Sequence, residues 1–305
     1  MRQEKKVILL AGPTASGKSK LAIKLARGFN GEIINADSMQ IYKEISLLTS
    51  KPDLKDTKMV KHHLYGFVSV KESFSVGAWY KQAANKIKDI NKRGKLALVV
   101  GGTGLYFKVL TEGLVEIPEV PKSDYSDLNH LGKFYMKNSY KKKDPNIFKG
   151  IDTNDIQRVS RAIAVYEHTG ITLHDWQKNK NKKHFDTSEF IKICLVPSKR
   201  ELEKKIKKRF VYMLENGATE EVKKYMKLQS PYSSQTSNSI IGLKEIGLFL
   251  AKVISMDQLK EKVLIRTRQY AKRQFTWARG HMRSWDTIYY NNFNDLFKKV
   301  LDKTS

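Results

Sequence analysis

Eight consecutive residues, Gly12, Pro13, Thr14, Ala15, Ser16, Gly17, Lys18 and Ser19, have the spacing of a loop that holds phosphate. The glycines let the backbone curl so that successive N–H groups point at phosphate oxygens. The N-terminus of a following helix adds a partial positive charge, Lys18 adds a full one, and the Ser19 hydroxyl can hold Mg²⁺. Such a cradle does not say which bond breaks. Nucleotide hydrolysis, phosphoryl transfer and displacement of a whole diphosphate would all use it.

Other residues narrow the choice. Asp37 closes the apolar run Glu32-Ile-Ile-Asn-Ala36 and is followed by Ser38, Met39 and Gln40. A carboxylate there could ligate a metal or act as a general base, and Asp-Ser after a strand is also ordinary turn chemistry. Gly101-Gly-Thr103-Gly104-Leu-Tyr106 follows a second apolar run, and three glycines in four residues permit close approach of a ligand or a tight turn. This loop lacks the acidic residue that a nucleotide-hydrolysing site places at the end of a neighbouring strand, which counts against hydrolysis. His62 and His63 are adjacent, converge poorly on one ion and have no further ligands nearby, so no metal is expected there.

The elements that would position these groups read as short apolar strands alternating with helices. Lys6–Ala11, Glu32–Ala36, Leu96–Val100 and Phe190–Val196 are predicted strands, with a helix over Val76–Lys92 and another after the phosphate loop, whose Leu21, Ala22, Leu25 and Ala26 share a face. The expected fold is α/β: a P-loop-containing parallel sheet core flanked by helices, with a mainly helical insertion domain, and ligands gathered at the carboxyl ends of the strands. The core domain is placed at residues 1–120 and 186–305 and the insertion at 121–185, entered through the stiff segment Glu116-Ile-Pro-Glu-Val-Pro121. After Val196, helices are expected to the end.

The chain has 305 residues, and 57 Lys plus Arg against 31 Asp plus Glu leave a formal charge of +26, which points to a polyanionic partner. A lysine-rich proteome is the bland alternative. Two predicted helices carry bases and aromatics together. Over Asn154–His168, Ile156, Val159, Ile163 and Tyr166 form an apolar stripe, with Gln157, Arg158 and Arg161 projecting elsewhere. Over Gln258–Arg279, Arg266, Tyr270, Arg273 and Trp277 recur at helical spacing, flanked by Arg268, Lys272 and Arg279. Such a face suits phosphate contact and stacking on an unpaired base, and equally an amphipathic helix with a solvated basic side. The single Cys194 allows no disulfide within the chain, and no apolar run approaches the roughly 18 residues of a membrane span. A cytoplasmic protein without membrane attachment is expected.

Taken in order, these segments resemble the tRNA dimethylallyltransferase (tRNA isopentenyltransferase) family over nearly the whole chain. The similar segments are 12–19, Asp-Ser-Met-Gln-Ile-Tyr at 37–42, His-His-Leu at 62–64 and Gly-Gly-Thr-Gly-Leu-Tyr at 101–106. Asn-Asp-Ile-Gln-Arg-Val-Ser-Arg-Ala at 154–162 and Thr-Arg-Gln-Tyr-Ala-Lys-Arg-Gln-Phe-Thr-Trp at 267–277 complete the set. The resemblance implies transfer of a dimethylallyl group from dimethylallyl diphosphate to the N6 amine of the adenosine immediately 3′ of the anticodon, with diphosphate released.

The resemblance also implies roles. Asp37 would orient or deprotonate the amine, Thr14 would contact the bridging oxygen of the leaving group, and Lys18 with Mg²⁺ on Ser19 would neutralise the departing charge. Arg209, which composition gives no reason to single out, matches the family's arginine before Phe210 and would grip the same diphosphate. The anticodon stem-loop of tRNA would meet Asp37, Ser38, Met39, Gln40 and Thr103, then Gln157, Arg158, Val159, Ser160 and Arg161 on the insertion. Lys272, Arg273, Gln274, Trp277 and Arg279 would complete that contact.

Departures from the family pattern fall at Leu48-Thr-Ser-Lys51-Pro52, at Gly242-Leu243-Lys244 and at Ala278-Arg279, and remove none of these groups. There is no Cys₂His₂ finger after residue 280, as the longer eukaryotic relatives carry, so a bacterial-type enzyme is expected. A monomer is expected. The rivals are a P-loop kinase or nucleotidase, and an adenylate isopentenyltransferase acting on free AMP or ADP. For the last, the basic helices would be superfluous.

Overall fold

The computed structural model describes residues 7–118, 120, 133–228 and 236–304, with side chains in the first helix of the insertion described from residue 138. Lys6, Glu119, Pro121 and residues 122–132, which the sequence reading assigns to the first strand, the stiff segment and the insertion, lie outside the described residues.

Six strands form one wholly parallel sheet: β1 (Val7–Ala11), β2 (Gly31–Asn35), β3 (His62–His63), β4 (Leu96–Gly101), β5 (Phe190–Pro197) and β6 (Asp286–Tyr290). Their spatial order is β3-β2-β4-β1-β5-β6. All five residues of β1 are buried, as expected of a continuous apolar strand covered on both faces. The chain leaves β1 toward β2 on one side and later returns to add β5 on the other, so β1 lies at the switch point of the sheet. Because every strand runs the same way, the loops after β1, β2 and β4 emerge on one edge. That edge collects residues 12–19, 36–40 and 101–104.

Helix α1 (Lys18–Gly28) buries Leu21, Ala22, Leu25 and Ala26 against β1, β2 and β4, together with Leu98, Val100 and Ile193. Each buried leucine contributes about 2 kcal/mol to holding the phosphate loop against the sheet. After α2 (Leu54–Met59), helix α3 (Val76–Lys92) starts where Ser75 accepts the Ala78 N–H, and buries Trp79, Ala83 and Ile87. Helix α4 (Gly104–Glu112) begins at the end of the β4 loop.

The insertion forms a separate compact unit, residues 112–184, and the remainder of the chain forms the other. The chain enters this unit earlier than the sequence suggests because Leu114 pairs with Lys182 through both backbone groups. Helices α5 (Lys133–Lys143), α6 (Ile156–Thr169) and α7 (Leu173–Trp176) enclose Ile147, Phe148, Val159, Ala162 and Ile163. Asp155 caps α6 by accepting the Arg158 N–H, and Gly170, at φ 69°, ends it in the left-handed conformation.

In the larger unit, α8 (Lys199–Glu215), α9 (Ala218–Leu228), α10 (Leu243–Leu250) and α11 (Met256–His281) build a second core around Ile41, Tyr42, Ile45, Phe210, Val222, Leu243 and Val263. Helix α12 (Phe293–Thr304) follows β6. Neither β3 nor β6 is anticipated by pattern. The first is two residues long, and the second is an edge strand in which only Ile288 and Tyr290 are buried.

Candidate functional site

The phosphate loop leaves β1 with Gly12 N–H donating to the Gly101 carbonyl at 3.3 Å, which joins it to the β4 loop. Ala15 (φ 61°) and Gly17 (φ 81°) are left-handed, a conformation that turns the chain tightly into α1. Lys18 Nζ donates to the Pro13 carbonyl at 3.1 Å, so its charge lies across the mouth of the loop. Burial, partly offset by Asp37 and reinforced by the neighbouring Arg209, lowers the Lys18 pKa to about 8. Ser19 stands at the exposed N-terminus of α1.

Arg209, on the inner side of α8, donates from Nη1 to Thr14 Oγ1 at 2.7 Å. The arginine that only resemblance could single out is therefore bonded to the loop hydroxyl assigned to the leaving group. Thr14 N–H donates to Gln274 Oε1 at 2.8 Å, and Gln274 Nε2 donates to the Gly102 carbonyl at 2.9 Å.

Asp37 is fixed from its own strand end. Its N–H donates to Asn35 Oδ1 at 2.8 Å, and Asn35 Nδ2 donates to the carbonyls of Asp37 (3.0 Å) and Leu64 (2.9 Å). The Met39 N–H donates to Asp37 Oδ1 at 3.0 Å. Across the cleft, Ser38 N–H donates to Thr103 Oγ1 at 2.9 Å, and Thr103 N–H to the Ala36 carbonyl at 3.1 Å. The charge of Asp37 acts on Lys18, on Arg209 and on the phenols of Tyr65, Tyr106 and Tyr270. All three phenols are pushed well above the ordinary tyrosine range, first by burial and then by Asp37, so each keeps its proton. A carboxylate whose field reaches the Lys18 and Arg209 cations can receive a proton beside a departing anion.

Sequence reasoning missed these tyrosines as members of the site. Tyr106 lies in the quoted 101–106 segment, and its ring stacks on Trp79 at 4.1 Å, with Trp79 Nε1 donating to the Asn35 carbonyl at 2.8 Å. Tyr65 follows the His62-His63-Leu64 run, where Leu64 is itself left-handed at φ 62°. Those histidines hold the fold: His62 Nδ1 contacts the Val60 carbonyl and His63 Nε2 contacts Glu32 Oε2, both at 2.7 Å.

The residues expected to meet tRNA divide into several environments. Asp37, Ser38 and Thr103 come together, whereas the Gln40 amide is committed to the carbonyls of Thr49 and Ser50. On the insertion, Gln157 and Arg158 are exposed and Arg161 is half-buried, while Val159 is buried in that unit's own core and Ser160 is also buried.

Helix α11 does not present one basic aromatic face. Arg266 is ion-paired at 2.6 Å with the buried Glu245, and Trp277 stacks on His281 at 4.4 Å while its ring fills the space a side chain at Gly104 would need. Gln274 and Tyr270 turn toward the loop and Asp37. Arg268, Lys272, Arg279 and Arg283 line a separate cavity of about 700 Å³ floored by Leu202 and Phe275.

The oxygen donors present fit Mg²⁺, a hard cation that keeps several waters and binds through one or two protein oxygens plus substrate phosphates. Ser19 would hold it. Among the described residues no group of three or more His, Cys, Asp or Glu side chains gathers, so the ion would take its remaining ligands from diphosphate and water.

A parallel α/β sheet whose phosphate loop is braced by an arginine and faces a carboxylate on the next strand defines a phosphate-loop group-transfer enzyme. Residues 40–281 match the IPP transferase family and residues 5–65 the isopentenyl transferase family. The chain belongs to the IPP transferase family. It is 44% identical over 304 residues to the tRNA dimethylallyltransferase of Pelagibacter ubique, covering 98% of this chain and 96% of that one. It is 38% identical over 286 residues to the enzyme of the same name from Rhizobium etli, covering 92% and 96%. Among solved structures, the Bacillus halodurans tRNA isopentenylpyrophosphate transferase aligns with TM-score 0.66 at 28% identity, over 98% of this chain and 95% of that one. A eukaryotic dimethylallyltransferase acting on tRNA aligns with TM-score 0.82 at 28% identity, over 98% and 77%. No helix among the described residues is long and apolar enough to cross a membrane.

Proposed function

We propose that this protein transfers a dimethylallyl group from dimethylallyl diphosphate to the N6 amine of the adenosine immediately 3′ of the anticodon in tRNA, releasing diphosphate. It would act as a monomer in the cytoplasm. The observation that carries this reading is the bond of Arg209 to Thr14 in the phosphate loop that also carries Lys18, with the charge of Asp37 acting on both cations. The carbon–oxygen bond to the diphosphate breaks as the nitrogen–carbon bond forms, and the amine proton passes to Asp37. Negative charge grows on the bridging oxygen, where the Thr14 hydroxyl, oriented by Arg209, and the Lys18 ammonium stabilise it more in the transition state than in the bound substrate. Mg²⁺ on Ser19, when bound, would neutralise the diphosphate further. The adenosine is extruded from the anticodon loop to reach the carboxylate.

Incubating the purified protein with unmodified tRNA, dimethylallyl diphosphate and Mg²⁺, followed by mass analysis of the anticodon-loop nucleosides, tests this reading. A C5 unit on that adenosine is expected. Transfer to free AMP in place of tRNA, or ATP turnover without RNA, would overturn it.

A further inference from the structure

We propose that Gln274 is a positioning residue that fixes the spacing between the leaving-group cradle and the base through its carboxamide. This inference rests on the prenyl-transfer reading above.

The geometry forms one continuous path of bonds. Arg209 donates to Thr14 Oγ1, Thr14 N–H donates to Gln274 Oε1, and Gln274 Nε2 donates to the Gly102 carbonyl. The next residue, Thr103, accepts the Ser38 N–H at 2.9 Å, beside Asp37. The diphosphate side and the amine side are thus joined through one side chain, reaching 260 positions from Thr14 and 172 from Gly102. Carboxamide chemistry is required at this position. Thr14 offers a donor and Gly102 an acceptor, so the bridging group must accept on one side and donate on the other, and only one orientation of the amide does both. Gly102 shows how tightly the bridge is built, since a Cβ there would stand 2.2 Å from Gln274 Nε2. These two bonds take one lone pair of the oxygen and one of the two N–H donors, and together they fix the orientation of the amide between the two loops.

The consequence is kinetic. A shift of the Thr14 hydroxyl by about 1 Å costs on the order of 10²-fold in rate when the reacting groups must be aligned. Gln274→Leu, which cannot bond either partner, and Gly102→Ala, which displaces the amide, are both expected to lower kcat by about that factor while the KM for tRNA stays within about 2-fold.

Gln274→Glu provides a signature that a merely structural role would not produce. As a carboxylate it opposes the Gly102 carbonyl, acceptor to acceptor. As a neutral acid it accepts from Thr14 and donates to Gly102 as glutamine does. Its kcat relative to the unchanged protein is therefore expected to rise as pH falls from about 8 to about 5.5, spanning the titration of a glutamate beside a carbonyl.

Hydrogen exchange at the Thr14 amide reads the bridge without turnover. Protection is expected in the unchanged protein and its loss in Gln274→Leu and Gly102→Ala. A raised KM for tRNA with kcat preserved, a Gln274→Glu to unchanged ratio that is flat with pH, or unaltered Thr14 exchange in both variants would each overturn the proposal. Absence of prenyl transfer by the unchanged protein would instead overturn the proposed reaction, and the exchange measurement would still decide the bridge.

Discussion

Arg209 and Thr14 are separated by 195 positions, yet the guanidinium donates to the threonine hydroxyl at 2.7 Å. The bond turns a loop residue and a helix residue into a single donor pair facing the same anion. Thr14→Val is expected to lower kcat by about 10²-fold or more, the usual cost of removing one preorganised donor, and Thr14→Ser to retain most of it. Arg209→Lys keeps the charge but loses the planar fork, so it should fall nearer to Arg209→Ala than to the unchanged enzyme. Single-turnover transfer rates check both pairs.

Lys18 gives the diphosphate site a pH dependence. Its pKa is lowered to about 8 by burial, so in the free protein the ammonium is present below that pH and lost above it. The KM for dimethylallyl diphosphate is expected to rise as pH passes through about 8, while Lys18→Gln, with a poorer KM throughout, should show no such rise. The pH profile of kcat/KM for the diphosphate measures this.

Asp37→Asn should abolish transfer with tRNA binding retained, because the amide keeps the acceptor for the Met39 N–H and loses only the capacity to take a proton. Filter binding of tRNA alongside the nucleoside assay separates the two effects.

The charged group at the opposite edge of the sheet belongs to stability. Glu32, buried in β2, pairs with Arg93 (2.5 Å), His63 (2.7 Å) and Lys95 (3.1 Å), and the Arg93 hydrogen bond, above all, holds its carboxyl far below the ordinary range. A carboxyl depressed in the folded state stabilises above its unfolded pKa, and that stabilisation is lost as pH falls. Glu32→Gln is expected to cost about 3 kcal/mol near neutral pH, the low end for a broken buried pair because the cations Arg93 and Lys95 still reach water. Urea unfolding of both proteins should show the difference shrinking below about pH 4, with kcat little changed.

The arginines of α11 stand in different settings. Arg273 is exposed and Arg266 is paired with Glu245, a buried residue that also accepts the Gly242 N–H at the start of α10. Arg273→Ala and Arg158→Ala are each expected to weaken tRNA binding and to lower the slope of log affinity against log salt by about one, whereas Arg266→Ala should chiefly lower the melting temperature.

The amino-acid sequence by itself determined the local parts. A glycine-rich loop between an apolar strand and an amphipathic helix, Asp37 at a strand end and the Gly101–Gly104 turn are short-range patterns, and a parallel sheet then brings their loops to one edge. Two strands escaped because β3 is too short to show a period and β6 is half exposed. Partners depend on contacts across hundreds of positions. Only the tertiary structure decided that Arg209 meets Thr14, that the charge of Asp37 reaches three buried phenols, that Arg266 is committed to Glu245 and that Gln274 bridges two loops. A side chain's type states what it can bond, and only packing brings its partner within about 3 Å.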